Sequence, residues 1–123
     1  MPNNRTPLES QEQITLFQWA ELAAVRYPEL RLMFHCPNGG FRDAREAHNL
    51  RRQGVKAGVP DIMLPVPRKG YHGLFIELKR KKGGRLSEEQ KVWLDRLGLQ
   101  GYRAVCCNGC EAAIAEIKQY LGQ

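Results

Sequence analysis

Residues 58–79 read GVPDIMLPVPRKGYHGLFIELK, and two short apolar runs stand out in them: Asp61-Ile62-Met63-Leu64 and Leu74-Phe75-Ile76-Glu77-Leu78-Lys79. Their length and β-prone residues predict strands. The connection from Pro65 to Gly73 holds two prolines and two glycines, a composition that a hairpin tolerates and a helix does not. The two strands are therefore expected to pair antiparallel. Side chains of a strand alternate faces, so Glu77 and Lys79 leave on one side while Ile76 and Leu78 leave on the other. The hairpin then carries Asp61 toward Glu77.

Working outward, a helix is expected from about Leu8 to Tyr27, ending before Pro28. Its apolar face is Leu16, Phe17, Ala20, Ala23 and Ala24. Projection at about 100° per residue puts Glu9 and Gln13 in that sector and Glu12 at its edge. Met1 to Pro7 reads as a loose tail. Arg31 to Cys36 reads as a strand, and Pro37 to Arg42 as a glycine-bearing turn. A polar helix follows over Asp43 to Gln53. Beyond the hairpin, Ser87 and Gln90 form a capping-box pattern at the head of a helix with Val92, Trp93, Leu94 and Leu97 on its apolar side, closed by Gly98 or Gly101. Tyr102 to Cys107 is a last strand, and Gly109 to Leu121 a closing amphipathic helix. The alternation predicts an α/β sandwich, a mixed central sheet with helices on both sides. At 123 residues the chain fits one domain.

Ionised carboxylates on an apolar strand are costly unless neutralised, and a hard divalent cation with oxygen ligands does this well. Asp61 and Glu77 are accordingly read as ligands of Mg2+ or Mn2+. Lys79 would stand beside the ion, where a compact cation can hold an attacking water or steady charge growing on a phosphate. The plainer reading is a salt-bridged strand. An inward Glu9 either caps its helix against the dipole or reaches the same metal, with Glu12 as fallback.

The flanking text is more specific than the acid pair. Pro60-Asp61 followed by Glu77-Leu78-Lys79 resembles the PD-(D/E)XK nuclease signature. With GVKAGVPDIML, FIELK and GRLSEEQ around it, the stretch from Glu9 to about Tyr102 is similar to the VRR-NUC branch of that superfamily, which includes small stand-alone phage and bacterial proteins. The resemblance implies a restriction-endonuclease-like sandwich that hydrolyses DNA phosphodiesters with Mg2+ or Mn2+. It implies a homodimer acting on branched DNA such as Holliday junctions. Carried onto this chain, it makes Asp61, Glu77 and the Leu78 carbonyl metal ligands, adds Glu9, directly or through water, and sets Lys79 and Gln90 in the active site. For Gln90 the capping-box role alone is the default reading. A non-catalytic DNA-binding accessory module of a replication or recombination complex is the competing class. A sequence-specific restriction enzyme would need a recognition domain for which the chain is too short.

Composition agrees with a polyanionic partner. Nineteen Lys and Arg against 13 Asp and Glu give +6, with an isoelectric point near 9.4. Asn38, Arg42, Arg51, Arg52 and Lys56 form one candidate DNA-binding group. Arg80, Lys81, Lys82 and Arg85 form the other, the densest positive run in the chain. Against these stand an ordinary Asn-Gly turn at Asn38 and charge runs that only keep a surface solvated.

Without a secretory signal or an apolar run of bilayer length, a cytoplasmic protein is expected. Cys36, Cys106, Cys107 and Cys110 are expected as free thiols. Cys107-x-x-Cys110 lacks the second pair that a structural zinc site needs. Neither a small-molecule cofactor nor a membrane partner is expected.

Overall fold

The computed structural model describes residues 7–37 and 43–122. All but Pro7 of the expected tail, and the turn residues Asn38 and Arg42, lie outside the described residues.

Helix α1 spans Glu9–Ala23, a short 3-10 helix follows at Pro28–Leu32, and strand β1 is only Phe34–His35. Of the expected strand over Arg31 to Cys36, only Phe34 and His35 are strand, and Arg31 and Leu32 belong to the 3-10 helix. Pro28 explains it: proline fixes φ near the helical value at the first position of a turn, and Met33 N–H closes onto the Leu30 carbonyl. Helix α2 is Ala44–Arg52, capped by Asp43, whose side chain accepts from Glu46 N–H at 2.7 Å. Strands β2, Ile62–Leu64, and β3, Leu74–Lys79, form the expected antiparallel hairpin. Helix α3, Glu88–Leu99, runs through Gly98 and stops before Gly101, where φ is +94°. Strand β4, Arg103–Asn108, and helix α4, Cys110–Leu121, close the chain.

The sheet order is β1-β2-β3-β4, with β1 and β3 antiparallel to β2 and β4 parallel to β3. The fold is a mixed α/β sandwich. On one face Ile62, Leu64, Leu74, Ile76 and Leu78 pack with Leu16 and Ala20 of α1 and Ala113 and Ile117 of α4. Each of these is nearly or fully removed from water; burial of an aliphatic side chain contributes roughly 1.5–3 kcal/mol. Tyr120 anchors α4 to the hairpin through its hydroxyl, which donates to the Val66 carbonyl at 2.6 Å. The other face of β3 carries Phe75, Glu77 and Lys79, and α3 lies on that side.

Candidate active site

Register places the acids. The ladder pairs Ile62 with Ile76, so the next step back along β2 sets Asp61 opposite Glu77 on the face away from the core. The same row continues to Cys106 of β4, the register partner of Glu77. It reaches Cys36 on the other flank, whose N–H donates to the Asp61 carbonyl at 2.6 Å. One line across four strands thus reads Cys36, Asp61, Glu77, Cys106. His35 Nδ1 lies 2.9 Å from that same Asp61 carbonyl.

Glu77 is 1% exposed and Lys79 7% exposed. Their charges meet at 3.6 Å, Lys79 Nζ to Glu77 Oε2. Asp61 turns a carboxylate oxygen back onto the strand: Oδ2 accepts from Leu78 N–H at 2.9 Å. The N–H and C=O of one strand residue leave on the same edge, so the Leu78 carbonyl faces the Asp61 side. Burial, then the charge of Asp61 and a hydrogen bond with it, push the Glu77 carboxyl up to about 8, against the pull of Lys79. Glu77 Oε1 is buried without a hydrogen-bond partner. An orphaned, desolvated oxygen beside a second carboxylate and a strand carbonyl is a donor set of hard oxygens, suited to a small divalent cation that completes its shell with water. Among the described residues no three His, Cys, Asp or Glu side chains gather into a metal cluster, so any third acid must come from further out.

Gln90 serves both of its readings. Its backbone N–H donates to Ser87 Oγ at 3.1 Å and its Oε1 accepts from Ser87 N–H at 2.8 Å, a complete capping box. The Nε2 of the same amide donates to Glu77 Oε2 at 3.2 Å.

Two contacts hold α3 against the lead-in to Asp61. Trp93 Nε1 donates to the Ala57 carbonyl at 3.0 Å. Gly58, at φ +88°, lies so close to Glu89 that an added Cβ would come within 2.8 Å of the Glu89 backbone.

Helix α1 departs from its projection. The buried stripe is Glu12, Leu16 and Ala20, whereas Glu9 is exposed and Gln13 half-buried. Glu12 Oε1 accepts from Cys110 N–H at 3.1 Å, a carboxylate on the positive end of α4, and its Oε2 is buried without a partner. This explains the inward turn of Glu12: its tertiary partner stands at the head of α4, and the rest of the projected apolar face stays on the core. The charge of Glu9 is the smallest of those that raise the Cys106 thiol, after burial, Glu77 and Asp61.

Of the basic candidates, Arg51, Arg52 and Lys56 are exposed on and just after α2, and Lys81, Lys82 and Arg85 are exposed beyond β3. Lys81 lies 3.7 Å from Glu111. Arg80 is half-buried. All four cysteines are free thiols. Burial raises each thiol; Cys107 reaches about 12. Cys36 and Cys106 flank the acids, a placement set by the inter-strand register that the sequence reading did not single out.

A family model for the VRR-NUC domain matches residues 8–111. The chain belongs to the VRR-NUC family. A solved structure described as a VRR_NUC domain protein is 31% identical, with a TM-score of 0.81 over 97% of this chain and 93% of the other. A search of curated proteins finds no match. Membership makes this VRR-NUC chain a nuclease-type, DNA-processing domain. Among the described residues no helix is long and apolar enough to cross a membrane.

Proposed function

We propose that this VRR-NUC domain is a metal-dependent endodeoxyribonuclease that cuts branched DNA, such as Holliday junctions, as a symmetric dimer. The observation that carries the proposal is the Asp61–Glu77 pair, with Glu77 desolvated and its Oε1 unpartnered and with Lys79 on the same face. Asp61, Glu77 and the Leu78 carbonyl would hold Mg2+ or Mn2+, with Glu9 contributing directly or through water. Bound there, the ion would acidify a water and shield the scissile phosphate.

The chain's own groups divide the remaining work. Gln90 fixes the Glu77 carboxylate by holding Oε2, which leaves Oε1 free for the ion. Lys79 Nζ, buried beside Glu77, orients the attacking water or steadies charge growing on the phosphate. Asp61 is tied to the β3 backbone and so keeps its distance from Glu77 fixed. The exposed cations Arg51, Arg52, Lys56, Lys81, Lys82 and Arg85 would grip phosphates on either side of the cut, with Arg80, Asn38 and Arg42 as further candidates.

A symmetric dimer belongs to this reading because a 14.0 kDa chain by itself offers little surface for a branched duplex. The lack of a third clustered acid among the described residues favours a second reading, a DNA-binding module without catalysis. The deciding experiment incubates labelled four-way junction, flap and linear duplex with the protein and Mg2+, Mn2+ or EDTA. Metal-dependent cleavage strongest on the branched substrates is the expected result, and binding without cleavage under every metal condition would overturn it.

A further inference from the structure

The helix that presents Gln90 to Glu77 also walls a cleft of about 390 Å³, lined by Lys56, Val92, Trp93, Arg96, Leu97 and Gln100. That volume lies within the range of small-ligand sites. Trp93 and Val92 also border a second, smaller cleft, where Glu88 and Glu89 stand. The indole is therefore shared by a basic compartment and an acidic one. It is also fixed, because Nε1 is bound to the Ala57 carbonyl. Val92 is 42% exposed. Lys56 and Arg96 are exposed on the rim, and neither makes an ion pair among the described residues.

We infer that the basic compartment is a stacking site for one unpaired nucleotide, which lays its base on Trp93 and Val92 and its phosphate between Lys56 and Arg96. Immobilised aromatic rings beside free cations are how single strands are held without sequence preference. The acidic compartment repels the same phosphate, so charge selects the basic one. Six residues of α3 separate Gln90 from Arg96, about 9 Å along the axis, or about three base steps of a strand. A strand unpaired close to the scissile phosphate would thus reach the cleft. The inference rests on the nuclease reading for its meaning but not for its test. It names a feature that a flap or an opened branch point would offer this domain: an unpaired nucleotide near the cut.

The test uses the full chain with Trp19→Phe, which leaves Trp93 as the only indole, titrated in EDTA with a short oligothymidylate. Saturable quenching of Trp93 emission is expected. Lys56→Glu with Arg96→Glu, both at exposed positions, should weaken the oligonucleotide at least about fivefold. Lys79→Ala should leave the quenching in place. An absence of quenching, quenching that survives the double charge reversal, or equal quenching by polyglutamate would each overturn the inference. Metal-dependent junction cleavage by the Trp19→Phe protein is measured in parallel. Cleavage without quenching would sink the stacking site alone; quenching without cleavage would sink the nuclease reading and leave the site standing.

Discussion

Gln90 donates its side-chain amide to Glu77 Oε2 at 3.2 Å while the oxygen of the same amide accepts the N–H of Ser87 at 2.8 Å. One side chain therefore caps α3 and fixes the buried acid of β3. A residue that reads as a routine helix-start signal ties two layers of the sandwich together at the site.

Because of this double use, Gln90→Ala and Ser87→Ala should separate stability from activity. Each removes part of the capping box and should cost about 1 kcal/mol in chemical denaturation. Only Gln90→Ala frees Glu77, so only it should reduce metal-dependent cleavage by more than about tenfold. Equal activity losses in the two variants would show that Gln90 acts through the helix alone.

Glu77 gives the metal-free protein a distinctive pH dependence. Its carboxyl rises from 4.5 to about 8 on folding, so the folded state holds a proton that the unfolded chain releases. That contribution to stability is complete below about 4.5 and is lost as pH climbs to about 8. Melting temperature in EDTA should fall across this window, and Glu77→Gln should flatten the fall. Metal binding needs the ionised carboxylate, so Mn2+ affinity measured by calorimetry should rise with pH over the same interval.

The two acids of α1 should behave oppositely. Glu12→Ala removes the carboxylate that caps α4 at Cys110 and should destabilise the fold by about 1–2 kcal/mol. Glu9→Ala, at an exposed position, should leave the denaturation midpoint within about 0.5 kcal/mol of the parent and lower metal-dependent cleavage. If cleavage is lost in the Glu12 variant and kept in the Glu9 variant, the metal-site acid of the helix is Glu12.

Gly58 should not accept even alanine. Its positive φ and the 2.8 Å approach of an added Cβ to Glu89 act together, and about 1–3 kcal/mol of destabilisation is expected. Since the same segment carries Asp61, cleavage should fall further than the stability loss alone explains. Thermal melts and initial rates on one preparation of Gly58→Ala check both.

Neutralising Lys81, Lys82 and Arg85 together should lower DNA affinity and flatten its salt dependence by a slope of about 2–3 in a log–log plot. A fluorescence-anisotropy titration over several salt concentrations reads this directly, and an unchanged slope would remove the loop from the DNA-binding surface.

The hairpin, the parity of Glu77 and Lys79 and the order of elements follow from local rules: alternation within a strand, proline and glycine in the connection, and the Ser87 cap. These depend on neighbours in the chain, and a sequence displays its neighbours. The same holds for the basic runs and the lead-in to Asp61. Three features had causes distant in sequence. The inward acid of α1 is Glu12 because its partner N–H belongs to Cys110, 98 residues away. The upward shift of Glu77 comes from desolvation, which only packing creates. The row of Cys36, Asp61, Glu77 and Cys106 exists because four strands pair in one register. The sequence by itself determined which groups could do chemistry and on which face of each strand they stand. The tertiary structure decided which of them meet, since distance and water exclusion arise only when separate elements close on one another.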